Sequence, residues 1–132
     1  MNSNKFSLKS RLKSFRFALN GLWLMLKNEH NSRIHLLAAI FALTLGIILK
    51  LNYSEWCLLL IVICIVFLTE LLNTSLESLA DLIDPEWNEK IREAKDYSAA
   101  AVMISALVSI VVGCLIFIPK LLELKLFSAL KN

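Results

Sequence analysis

The stretch WCLLLIVICIVFLTELLNTSLESLADLI, residues 56–83, decides the fold. Its first thirteen residues, Trp56 to Leu68, are all apolar, and the segment then continues helically while Glu70, Asn73, Glu77 and Asp81 enter at spacings of three, four and four. At 100° per residue these four fall within about 80° of arc, one polar stripe on an otherwise apolar helix. A helix of this kind crosses a membrane with its stripe turned away from lipid, because ionisable groups at that depth face a protein interior or a wet cavity and usually mark function.

Two further apolar stretches flank it, Leu36 to Leu49 and Tyr97 to Pro119. A span needs about 20 residues at 1.5 Å each. The first reaches that length when extended through Ile34 and His35. The chain of 132 residues, 58% hydrophobic, is therefore read as a single domain, 1–132, and as an all-α integral membrane protein. Its spans are expected at about 34–50, 55–83 and 95–119.

Basic residues stay on the cytoplasmic side of short loops. Lys5, Lys9, Arg11, Lys13, Arg16, Lys27 and Arg33 precede the first span, and Lys90, Arg92 and Lys95 join the second to the third, ten of the fourteen Lys and Arg. Lys50, Lys120, Lys125 and Lys131 lie at the opposite ends. The N-terminus is thus expected in the cytoplasm and the C-terminus outside.

Residues 6–27 carry too many charges to span, but Leu8, Leu12, Phe15, Leu19, Leu22 and Leu26 form one helical stripe, with Lys9, Lys13, Arg16 and Lys27 elsewhere on the helix. This is the pattern of a basic amphipathic helix on an anionic cytoplasmic surface. Phe17 breaks the pattern, standing 180° from Leu8 beside Lys13, where an aromatic can stack on a base or simply anchor at the interface. No cleavable signal peptide is evident at this end. Asn28 to Asn31 interrupts the helical pattern, and Lys50 to Glu55 makes a turn too short to carry a domain. Only Gly21, Gly46 and Gly113 are present, so no glycine-rich phosphate loop exists and a soluble nucleotide-binding fold is excluded. Cys57, Cys64 and Cys114 lie in or beside spans without zinc spacing, as packing residues. His30 and His35, five apart, do not share a helical face and give little signal.

Depth sharpens the reading. Counted from Trp56 at the outer boundary, Glu70 lies about 21 Å in and Glu77 about 32 Å in. Glu77 therefore sits at the cytoplasmic interface, level with Glu29 before the first span and with Lys95 and Asp96 at the start of the third. Carboxylates, a lysine and an aromatic converge on one plane, which suits phosphoryl transfer from a water-soluble donor to a lipid better than a transport pore. Two interfacial carboxylates can hold magnesium, which prefers oxygen ligands and keeps substrate phosphates in its shell. Lys95 can neutralise phosphate charge, and a deeper carboxylate stands where a lipid hydroxyl would lie, placed to act as a base.

At these residues the chain resembles the prokaryotic diacylglycerol kinase family, which includes the undecaprenol kinases. The matching elements are NE at Asn28 and Glu29, ELLNTSLE at Glu70 to Glu77, Asp81, AKD at Ala94 to Asp96 and the run SAAAV just beyond it; the likeness extends from about Lys13 to Pro119. The resemblance implies a homotrimer of three-span subunits with N-terminal surface helices in the bacterial cytoplasmic membrane, using ATP as co-substrate and Mg2+, with no nucleic-acid partner. It implies Glu70 as catalytic base, Glu29 and Glu77 as metal ligands, and Asn73 and Asp81 as supporting residues. Phe17, Glu86, Trp87, Asn88, Lys95 and Asp96, together with the two metal ligands, would form the nucleotide site. Phe17 stands where relatives often have Tyr, so only stacking carries over. SRIH at Ser32 to His35 looks like the undecaprenol kinases, whereas many enterobacterial diacylglycerol kinases carry an acid in place of His35, which favours undecaprenol over diacylglycerol as the lipid alcohol. The rival expectation is a non-enzymatic three-span pore or assembly protein held together by interhelical hydrogen bonds of the polar stripe.

Overall fold

The computed structural model describes the backbone of residues 8–83 and 88–129 and the side chains of residues 11–83 and 88–124. It consists of four helices in chain order: α1 (Leu8–Asn28), α2 (His30–Ile48), α3 (Tyr53–Ile83) and α4 (Glu89–Ala129). The last three are long and apolar enough to cross a membrane, α4 over Glu89–Leu124. Their outer faces are apolar, with Leu60, Ile61, Leu68, Leu107 and Val111 exposed, so the chain has the surface of a membrane protein.

Three boundaries differ from the sequence reading, one being the start of α4, at Glu89 instead of about residue 95. The interruption expected over Asn28 to Asn31 is a single extended residue, Glu29 (φ −94°, ψ 123°), and α2 starts at once at His30 instead of near residue 34. The Glu29 amide closes the last turn of α1 on the Met25 carbonyl at 2.8 Å, and Arg33 Nε donates to the Glu29 carbonyl at 3.3 Å, so one residue suffices to turn the chain. At the other end, α4 does not stop at Pro119 but continues to Ala129. Proline costs one backbone hydrogen bond and clashes with the carbonyl four residues back, a defect that membrane-spanning helices tolerate by local adjustment.

The α2–α3 turn is closed by two capping devices. Lys50 takes a left-handed conformation (φ 52°), and the amides of Lys50 and Leu51 bond to the carbonyls of Ile47 (3.2 Å) and Gly46 (3.1 Å), a Schellman ending. Asn52 then opens α3: its Oδ1 accepts from the Glu55 amide at 3.0 Å while Glu55 Oε2 accepts from the Asn52 amide at 2.7 Å. That reciprocal pair is a capping box. Glu55 Oε2 also meets Lys120 Nζ at 3.0 Å, which ties α4 to the same end. Leu51, Leu59 and Ile116 form the core here, with Trp56, Ile63 and Val112 packed around them.

α2 packs closely because its buried residues, Ser32, Ala39 and Gly46, are small and recur every seven residues. α3 answers with Leu59, Val62, Val66 and Glu70, buried at steps of three and four. α3 and α4 make the most extensive pairing, an antiparallel hairpin. On α4 the face turned inward runs through Ser98, Val102, Ser105, Ser109, Val112 and Ile116, and its hydroxyls allow close approach as well as interhelical bonding. α1 touches α2 and α3. It docks through Met25, 1% exposed, while the leucine stripe read from the sequence, including Leu12, Phe15 and Leu19, remains exposed.

Gly46 is required by close approach rather than by backbone freedom. A Cβ there would come within 3.0 Å of both Leu51 Cδ1 and Trp56 Cη2. Gly46→Ala is expected to destabilise the turn by about 1–3 kcal/mol through overpacking, read as a lowered melting midpoint in detergent. An unchanged midpoint would mean that the turn core is loose.

Candidate active site

Glu70 defines the site. It is 2% exposed on a helix that is otherwise apolar at this level, one turn below Asn73 and two below Glu77. Three helices hold it. α3 presents Glu70, Asn73 and Glu77 on one face, α2 brings Asn31 and His35, and α4 supplies a wall that includes Ala99 and Ala106; together they line a cavity of about 330 Å³. A second cavity of about 170 Å³ lies between the same helices, lined by apolar residues such as Ala42, Leu59, Phe67 and Ile110. His35 lines both.

The hydroxyl and amide groups of the α3–α4 hairpin set this register. Thr69 Oγ1 and Ser105 Oγ are 2.8 Å apart, Ser98 donates to Asn73 Oδ1 at 2.7 Å, and Lys95 Nζ meets Asp81 Oδ1 at 2.9 Å. Each such interhelical bond is worth only about 0.6 kcal/mol on average, but three in a row fix which residues face one another. Asn73 is thereby held by Ser98 at the cavity edge. The pairing of Asp81 with Lys95 is exposed and contributes little stability.

The electrostatics around Glu70 are lopsided. Glu29, at the α1–α2 join, and Glu77 both act on it as like charges. His35 Nε2 is 3.2 Å from Glu70 Oε1. That is an ion-pair separation without the alignment of a hydrogen bond, since Glu70 Oε1 is buried with no hydrogen-bond partner among the described residues, as are Ser32 Oγ and Thr74 Oγ1. Buried polar atoms are ordinarily paired, and of these three residues Glu70 is the one that lines either cavity. Glu77 lies within electrostatic range of Lys95 as well, so the carboxylates and the lysine share one region.

Four of the eleven site residues singled out in the sequence come together around Glu70. Glu70, Asn73 and Glu77 line the cavity, Glu29 is half-buried within electrostatic range, and its side chain is not used as a helix cap. Lys95 and Asp81 form a pair with each other and line neither cavity. Asp96 is exposed. Phe17 is 64% exposed with Lys13 Nζ 6.0 Å from its ring centroid, and it lines neither cavity. Asn88 caps α4, its Oδ1 accepting from the Lys90 amide at 3.0 Å, a structural use the sequence reading did not assign. Glu86 and Trp87 lie outside the described residues. No group of three or more His, Cys, Asp or Glu among the described residues is arranged as a metal cage. A pair of carboxylates such as Glu29 and Glu77 is nevertheless the donor set that magnesium takes when substrate phosphates complete its shell, so the residues fit that ion.

The sequence reading used His35 only as a sign of the lipid and did not foresee its contact with Glu70. Periodicity within one helix could not find it, because its partner is on another helix. Ser98 and Ser105 were missed for the same reason, although their seven-residue spacing on α4 is a usable signal.

Residues 16–117 match the family model for prokaryotic diacylglycerol kinase. The chain is 38% identical over 109 residues to the undecaprenol kinase of Bacillus subtilis (strain 168), covering 83% of this chain and 89% of that protein. It is 35% identical over 114 residues to the diacylglycerol kinase of Synechocystis sp., covering 86% of this chain and 65% of the longer relative. Identity to the diacylglycerol kinase of Escherichia coli (strain K12) is 27% over 116 residues, 88% of this chain and 95% of that one. The chain therefore belongs to the prokaryotic diacylglycerol kinase family and is a lipid kinase, and the rival reading of a non-enzymatic pore or assembly protein is not favoured.

Glu70 faces like charges from a buried position, an arrangement that costs stability. Glu70→Gln keeps the volume and removes the charge. Its melting midpoint in detergent is expected to equal or exceed the parent's, whereas a clear fall would mean that Glu70 holds the helices together.

Proposed function

We propose that this lipid kinase moves the γ-phosphoryl group of ATP, with magnesium, onto the hydroxyl of a membrane lipid alcohol, undecaprenol in preference to diacylglycerol. The observation that carries the reading is the position of Glu70, a buried carboxylate where a polar cavity adjoins an apolar one. A lipid alcohol has the matching shape, its chain in the apolar groove between α2, α3 and α4 and its hydroxyl at Glu70. The 38% identity to a protein named undecaprenol kinase, and His35 where many enterobacterial diacylglycerol kinases carry an acid, support undecaprenol.

In this mechanism Glu70 accepts the hydroxyl proton of the lipid as its oxygen forms a bond to the γ-phosphorus. The bond from that phosphorus to the oxygen bridging to the β-phosphate breaks, and ADP leaves with the electron pair. Such a base contributes about 10² to 10⁴ in rate. Glu29 and Glu77 would hold magnesium, which when bound would offset the charge of the nucleotide phosphates. Lys95 is drawn from Asp81 toward those phosphates as a point cation. Asn73, held by Ser98, orients the polar side of the cavity. Phe17, Asn88, Asp96 and the loop residues Glu86 and Trp87 belong to the nucleotide end of the site, Phe17 by stacking alone.

The working unit is a homotrimer in the bacterial cytoplasmic membrane, N-terminus inside and C-terminus outside, with α1 on the inner surface. Exposed apolar residues of α1 together with Lys13, Arg16 and Lys27 support the surface placement. The oligomer is supported by the exposed small residues Ala99 and Ala101 beside a cavity that holds acids; presenting one charge to lipid at the bilayer centre costs at least about 2.5 kcal/mol, so a neighbouring subunit should cover it.

Radiolabelled ATP with each lipid in mixed micelles tests the reading. Label is expected in the phosphorylated lipid, faster from undecaprenol, and Glu29→Gln and Glu77→Gln are each expected to raise the magnesium concentration at half-maximal rate. Transfer to neither lipid would overturn the activity, and an unchanged magnesium dependence in both variants would remove them as ligands.

A further inference from the structure

We propose that His35 is a positioning residue for Glu70, fixing the Oε1 oxygen so that the other carboxylate oxygen is presented to the acceptor hydroxyl. The proposal rests on the lipid kinase reading above and deepens it. His35 Nε2 is 3.2 Å from Oε1, and the two side chains are 22% and 3% exposed, so the imidazole reaches from the cavity into the buried carboxylate.

No other charged group or donor is seen at Oε1 among the described residues. From the α1–α2 join and from α3, the charged groups acting on Glu70 are Glu29 and Glu77, both of the wrong sign to anchor it. From α4 the cavity is walled by Ala99, Val102, Met103 and Ala106, none able to donate a hydrogen bond from its side chain, while Lys95 is engaged with Asp81. Asn73 Oδ1 is taken by Ser98. Among the described residues, His35 is the side chain found within ion-pair distance of Oε1.

The backbone beneath it is suited to the task. Ser32 and Ala39, three residues before and four after His35, are buried against the rest of the bundle, so this face of α2 is locked in place. A general base must meet its proton within hydrogen-bond reach, and a carboxylate with both oxygens unanchored turns freely about its last torsion. One His–Glu contact removes that freedom. The present separation becomes a directed hydrogen bond with a small rotation of the ring, and the unpaired state of Oε1 leaves it open to accept one.

The test compares His35→Ala, His35→Leu and His35→Gln in the full chain, with kcat and lipid KM measured on the lipid that the parent phosphorylates. A misplaced catalytic group costs on the order of 10²-fold, so Ala and Leu are expected to lower kcat by that factor with lipid KM held within about twofold. Gln, whose amide can donate to Oε1, is expected to recover at least about tenfold over Leu, a rescue that packing alone would not give. Should Ala fail to fold, the contrast between Leu and Gln decides the matter. Variants within about threefold of the parent in kcat, Gln no better than Leu, or a loss confined to lipid KM would each overturn the positioning role while leaving the kinase reading intact. A parent inactive on both lipids would instead remove the reading on which His35 depends.

Discussion

A buried carboxylate in an apolar helix is the constraint from which the rest of this molecule follows. Glu70 cannot face lipid, and with Glu29 and Glu77 acting on it as like charges it cannot be left without a compensating partner. Three features answer that requirement. α2 approaches closely enough, through Ser32, Ala39 and Gly46, to bring His35 against it. α4 lays small residues across the cavity, and the remaining charge is left for a ligand to meet.

Placing such a group at a defined depth demands a fixed register between α3 and α4, and apolar packing alone specifies register poorly in a membrane. The contacts from Thr69 to Ser105, Asn73 to Ser98 and Asp81 to Lys95 supply it on the half that holds Glu70, and Glu55 with Lys120 supplies it at the far end. Between them the hairpin is apolar. The Schellman ending at Lys50 and the capping box at Asn52 and Glu55 then lock α2 to α3 in the same register, so the turn remote from the site governs where His35 meets Glu70.

Much of this was legible in the sequence because it depends on spacing within one helix. The three spans, the amphipathic first helix and the stripe of Glu70, Asn73, Glu77 and Asp81 follow from the period of 3.6, and the depth count brings Glu29 and Lys95 to the right level. What depends on relations between helices was not legible. His35 read as a sign of the lipid and not as a partner of Glu70, because periodicity says nothing of an antiparallel neighbour, and Asn88 looked like a loop residue because its cap is a hydrogen bond two residues along. Pro119 looked like a terminus, yet α4 absorbs it. The docking residue of α1 was not legible either: Met25 is buried beside the leucine stripe, of which Leu12, Phe15, Leu19 and Leu22 stay outward. A hydrophobic stripe on a surface helix can serve lipid or a neighbouring chain as well as its own bundle, and sequence alone does not distinguish them.

The account turns on Glu70 acting in the chemical step rather than in binding or folding. ATP affinity and phosphate transfer to lipid, measured on the same Glu70→Gln sample, test that most directly. An amide fills the site but cannot take the proton, so transfer is expected to fall by about 10² to 10⁴ while ATP affinity stays within about threefold of the parent. Transfer retained, or affinity lost along with it, would contradict the assignment.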